Sequence, residues 1–97
     1  MPIHRRSALH ARNVRVHGRR TSVKLEPAFW GALEAAAARE GLTVNALCSR
    51  IHAGSAEYGL TAAIRVFLLA YGWSGRFDAA LATGPADPLP GPAARDA

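Results

Sequence analysis

Arg20, Ser22 and Lys24 alternate with Thr21, Val23 and Leu25 in the stretch RRTSVKLEP, residues 19–27. In an extended chain successive side chains point to opposite faces, so this pattern gathers three hydrogen-bond donors on one side and an apolar set on the other. A face of that kind is suited to holding an anionic or acceptor-rich surface rather than to breaking a bond. The charge distribution agrees. Residues 1–25 contain Arg5, Arg6, Arg12, Arg15, Arg19, Arg20 and Lys24 and no acid, whereas the remaining five bases face all seven acids of the chain. One end of the molecule is therefore built to meet something negatively charged.

Other chemistries are weakly represented. His4, His10 and His17 stand six and seven residues apart in a basic segment with no cysteine or carboxylate close by to complete a metal site, and His52 is expected at the surface near a helix end. Cys48, the single cysteine, falls on an apolar helical stripe and reads as a small buried hydrophobe. The sequence has no G-x-S-x-G, no H-E-x-x-H and no glycine-rich phosphate loop. A chain of 97 residues also has little room for a concave substrate pocket. The expectation is a protein without catalytic activity, metal or cofactor.

The elements that must position the cationic face follow from periodicity. Pro27 ends the strand and suits the first position of a helix, which runs to about Arg39 with Phe29, Trp30, Leu33, Ala36 and Ala37 at spacings of three and four. Gly41 fits the left-handed residue that closes it. Thr43 is a good N-cap for a short second helix bearing Val44, Leu47, Cys48 and Ile51. AGSAEYG, 53–59, should break that helix, and Thr61 should cap a third in which Ile64, Phe67, Leu68 and Tyr71 form one stripe while Val66, Leu69 and Ala70 cover much of the rest. A helix apolar nearly all round predicts burial between subunits. WSGRFDAAL adds a last turn, with Trp73, Phe77 and Leu81 expected to fold back on the core.

A single strand leaves its backbone donors and acceptors unsatisfied, and no second convincing strand is evident, so the expected partner is the same strand of another copy. A two-fold axis then gives a two-stranded antiparallel ribbon, of a width that fits the DNA major groove. With RTSVKLEP, an FW pair, a glycine turn and LTVNAL in this order, the chain resembles the ribbon-helix-helix domains of bacterial transcriptional repressors, over about residues 19–72. YGLTAAIRVFLLAY is similar to the additional helix of an alphaproteobacterial branch of that family.

The resemblance implies a mostly α ribbon-helix-helix fold: one short N-terminal strand pairing antiparallel across a homodimer, followed by three helices. It implies base contacts from Arg20, Ser22 and Lys24, and phosphate contacts from Thr43, Val44 and Asn45 at the start of the second helix, with Arg19 beside the ribbon. Arginine and lysine can donate to guanine O6 and N7, and a helix N-terminus offers free N–H groups to an anion, so the chemistry is consistent. Val23, Leu25, Trp30, Leu47, Ile51 and Phe67 would form the dimer core. Residues 1–18 read as a flexible basic arm in which Arg5, Arg6, Arg12 and Arg15 follow phosphates; 19–83 form the domain; 84–97 form a disordered, proline-rich tail. The functional expectation is a dimeric, repressor-like regulator of transcription that binds double-stranded DNA in a bacterial cytoplasm, without membrane association. The alternative is a dimerisation or antitoxin-type module that binds a protein partner through the third helix or the tail.

Overall fold

Residues 8–94 are described by the computed structural model, and within them the strand expected at 19–25 finds its partner in its own chain. Strand β1 (His10–Val16) pairs antiparallel with β2 (Arg19–Leu25), in the register Arg12↔Val23, Val14↔Thr21 and Val16↔Arg19. His17 and Gly18 connect the strands with φ of 51° and 80°, the two positive values that a tight primed hairpin turn requires. The reading of 1–18 as a flexible arm is thus corrected over 10–18. Val14 and Val16 are buried beside Val23 and Leu25, and this burial makes β1 part of the core. The alternation was hard to see because His10 and Arg12 hold the other inward register positions. Both side chains are exposed at the open end of the hairpin, where Trp30 ties β1 to α1: its indole Nε1–H donates to the His10 backbone carbonyl at 2.9 Å and the Arg12 guanidinium lies 4.7 Å over its ring.

Helix α1 (Pro27–Arg39) buries Trp30, Leu33, Ala36 and Ala37. It ends in a Schellman motif: Leu42 N–H reaches back to the Ala37 carbonyl and Gly41 N–H to that of Ala38, with Gly41 at φ 68°. Helix α2 (Val44–Ser55) opens as its cap requires, with Ala46 N–H donating to Thr43 Oγ1 at 3.0 Å. It runs through Ala53 and Gly54 into a 3-10 turn at Ala56–Tyr58, so the expected break comes later. Gly54 has a packing reason instead, since a Cβ there would stand 3.1 Å from the Leu81 carbonyl oxygen. Helix α3 (Leu60–Ser74) starts after Gly59, at φ 81°, which places Thr61 inside its first turn rather than at its cap.

The short helix α4 (Phe77–Leu81) packs Phe77 edge-on against Phe67 and Tyr71. Trp73 does not fold back with it and is 49% exposed. From Gly84 onward the described chain has no helix or strand, yet it stays close to the domain: Gly84 N–H donates to Asp87 Oδ2 and Ala93 N–H to the Trp73 carbonyl, both at 2.8 Å.

Val23, Leu25, Trp30, Leu47, Ile51 and Phe67 are each no more than 3% exposed in one chain. The core expected to be shared by two subunits is closed within one, because β1 takes the place assigned to a partner's strand. Among the described residues, no helix is long and apolar enough to cross a membrane.

Candidate functional site

The hairpin has two unlike faces. Its inner face packs on the helices; its outer face carries the opposed pairs Ala11↔Lys24, Asn13↔Ser22 and Arg15↔Arg20, all exposed. Arg20, Ser22 and Lys24 are therefore brought together as the alternation predicts. Arg15 joins them and doubles the charge near the turn. Directly opposed like charges disfavour strand pairing, so the Arg15–Arg20 pair would gain from an anion laid across it. No acid occupies this outer face.

Four other arginines are engaged. Arg12, Arg39, Arg50 and Arg65 lie over the rings of Trp30, Tyr71, Phe77 and Phe29. Arg12 and Arg65 also pair with Glu34 and Glu26, at 3.5 and 2.7 Å. The second pair draws the Glu26 carboxyl below its ordinary pKa, through the hydrogen bond from Arg65. Arg15, Arg20 and Lys24 share in none of these ring contacts or ion pairs.

Helix α2 is tied to the ribbon's edge near the turn. Arg15 N–H donates to Asn45 Oδ1 at 2.9 Å and His17 N–H donates to Ser49 Oγ at 3.1 Å. These bonds satisfy donors on the free edge of β1 and fix the start of α2 beside the outer face. Asn13, Val14, Arg15, Arg20 and Asn45 line a cleft of about 310 Å³ there. Thr43 Oγ1 takes the Ala46 N–H, leaving the amides of Val44 and Asn45 as the first of the helix, of which Asn45 lines that cleft. Two guanidiniums, a side-chain amide and a helix N-terminus can together hold a phosphate.

The remaining sequence-derived positions separate. Arg12 is on the inner side, engaged with Trp30 and Glu34, and Arg5 and Arg6 lie outside the described residues. Arg19 shares the inner register with Thr21 and lines a different cleft, of about 300 Å³, with Val16, His17, Thr21, His52 and Leu60. His52 is half-buried there rather than fully at the surface, its ring edge-on to His17 at 5.6 Å. Sequence reasoning missed Arg15 and Asn13 as ribbon residues; NVRV followed by HG was the signal, a short alternation before a turn. Cys48 is buried, which pushes its thiol up to about 11. Among the described residues, no group of three or more histidine, cysteine or acidic side chains could hold a metal ion.

A third surface lies between α1 and α3. Ala28, Phe29, Ala32, Arg65, Val66, Leu68 and Leu69 line an apolar groove of about 400 Å³, and Leu69 is 58% exposed at its side.

Residues 9–72 match the family described as ribbon-helix-helix domain, a span that includes both strands of the hairpin. Among solved structures, an uncharacterized protein from Bordetella pertussis Tohama I is similar, with a TM-score of 0.56 and 40% sequence identity. The similarity covers 65% of this chain and 54% of that one, so the chain spans about half the length of that protein. A search of curated proteins finds no match.

Proposed function

Because the chain belongs to the ribbon-helix-helix domain family, whose members are generally DNA-binding regulators or antitoxins, we propose that it is a sequence-specific, repressor-like DNA-binding protein. The hairpin enters the major groove with Asn13, Arg15, Arg20, Ser22 and Lys24 toward the base edges. The start of α2, at Thr43, Val44 and Asn45, holds a flanking phosphate. The observation that carries this reading is the contrast in how cations are used. Four arginines of the chain lie over aromatic rings, while Arg15, Arg20 and Lys24 stand exposed on one acid-free face. Both strands come from one chain, so one copy presents a complete ribbon, and a homodimer would read two half-sites.

Selection of bound sequences from random duplex DNA, followed by binding of the selected site and a scrambled duplex at the same salt, tests the reading. Arg20→Ala or Lys24→Ala should remove about 1–3 kcal/mol of discrimination between the two duplexes. Arg76→Ala, an exposed cation between α3 and α4, should leave discrimination unchanged. Equal losses on both duplexes would reduce the ribbon to an electrostatic surface and overturn the proposal.

The groove between α1 and α3 favours a second reading, a module that binds a protein partner or a second copy there, with weak or no specific DNA binding. In that case none of the ribbon variants changes DNA affinity, and Leu69→Lys abolishes the association.

A further inference from the structure

We infer that the cleft at the turn end of the ribbon is a binding site for a small oxyanion carried on a short apolar group, separate from the DNA-reading face. Its polar lining is His17, Arg19, Thr21 and His52, and its apolar walls are Val16 and Leu60. No acid lines it, and the ion pairs among the described residues, Arg12–Glu34 and Arg65–Glu26, lie elsewhere. A guanidinium with its fork of donors, two imidazoles and a hydroxyl converging on one cleft form a receptor for a phosphate or carboxylate. The same arrangement disfavours a metal cation, because Arg19 would repel it.

A second observation points to the same site. His17 has φ of 51° and is the one non-glycine residue with positive φ among those described. The first position of this type of turn is best filled by asparagine, aspartate or glycine. A histidine there gives up turn stability, and its ring meets His52 of α2 edge-on at 5.6 Å. Its backbone N–H, held by Ser49 Oγ at 3.1 Å, fixes the turn against α2. The strained residue is thereby held at the mouth of the cleft by contacts to the helix. Backbone strain retained at a ligand-sized cleft fits a binding role better than a structural one. Since the site joins the turn to α2, an occupant would brace the ribbon against the helix that holds its edge.

The test follows the histidine ring C–H resonances of the full chain during titration with n-butyl phosphate and with inorganic phosphate, at constant ionic strength against a chloride control. Both His17 and His52 should shift saturably. Butyl phosphate should bind about tenfold more tightly than inorganic phosphate, because its chain covers Val16 and Leu60. Arg19→Ala should weaken binding by about tenfold or more. His17→Asn, which suits the turn and keeps the hairpin, should do the same without lowering the melting temperature. Lys24→Ala should have no effect. A response no larger than chloride gives, or one that survives Arg19→Ala, overturns the assignment. If duplex DNA displaces butyl phosphate and Arg19→Ala weakens duplex binding in parallel, the cleft holds a backbone phosphate and the small-ligand reading fails. Simultaneous binding of both supports it.

Discussion

Replacing Val14 with alanine tests whether the segment before the turn is a strand of the core or a solvated arm. Val14 is 4% exposed and lies opposite Thr21 on the inner face of the hairpin. The substitution removes two methyl groups from a closed environment. At about 0.8 kcal/mol each, transfer alone accounts for roughly 1.6 kcal/mol. The cavity left behind raises the cost to about 2 kcal/mol. In a domain of this size that corresponds to a fall in melting temperature of about 8–16 °C. Asn13→Ala, one residue away on the exposed outer face, should change stability by no more than about 0.5 kcal/mol. The pair would be compared by thermal unfolding followed through circular dichroism, at two protein concentrations. Both melting temperatures should be independent of concentration, since the core closes within one chain. If Val14→Ala melts with Asn13→Ala and both match the parent, β1 does not pack on the helices and the intrachain ribbon is wrong.

Asn45→Ala should cost about 1 kcal/mol, because it strips the Arg15 N–H of its acceptor; hydrogen exchange at Arg15 should accelerate while that at His17, held by Ser49, changes less. Cys48 should resist alkylation until the chain unfolds. Its thiol ionises only at about 11 in the fold, against about 8.5 for a free thiol, so the unfolded chain releases its proton first and stability falls as pH rises between those values. Urea unfolding across that range should show a slope that Cys48→Ala flattens. Leu69→Lys should leave thermal stability nearly unchanged, given its 58% exposure, and should reduce any self-association seen by sedimentation.

The helices were legible because their signals are local. Pro27 at the start of α1, the Gly41 motif at its end and the Thr43 cap each depend on neighbouring residues, and the structure has all three. The strand β2 was legible for the same reason, its alternation being complete from Arg19 to Leu25. Strand β1 was not, because exposed His10 and Arg12 stand on the same side as buried Val14 and Val16, and the contacts that engage Arg12, with Trp30 and Glu34, lie 18 and 22 residues later. The tertiary partner decides the face, and no window around Arg12 contains it. Trp73 fails in the opposite direction, since its four-residue spacing to Phe77 and Leu81 suggests one shared face, whereas on α3 it lies opposite the stripe of Ile64, Phe67 and Tyr71, and only Phe77 packs inward. The candidate site was half visible for the same reason. Arg20, Ser22 and Lys24 could be placed on one face from their own strand, whereas Arg15 and Asn13 enter only through the hairpin register.

Closing the ribbon inside one chain changes what its charges require. Two strands from separate copies that set Arg15 opposite Arg20 would meet only by overcoming both association entropy and like-charge repulsion. Here the strands are joined by His17 and Gly18, so pairing is an intrachain event over the shortest of loops. Helix α2 adds support from the side, its Asn45 and Ser49 accepting from the backbone N–H groups of Arg15 in β1 and His17 in the turn. The charged face is thereby preorganised before any anion arrives, and its geometry does not depend on protein concentration. If the chain binds DNA as proposed, binding would need no prior assembly of the ribbon, and pairing of two copies would set how many ribbons engage one duplex. A salt titration of a single-site duplex at protein concentrations below any self-association would show this directly, as a slope unchanged with concentration, because the number of phosphates neutralised by one ribbon is fixed by one chain.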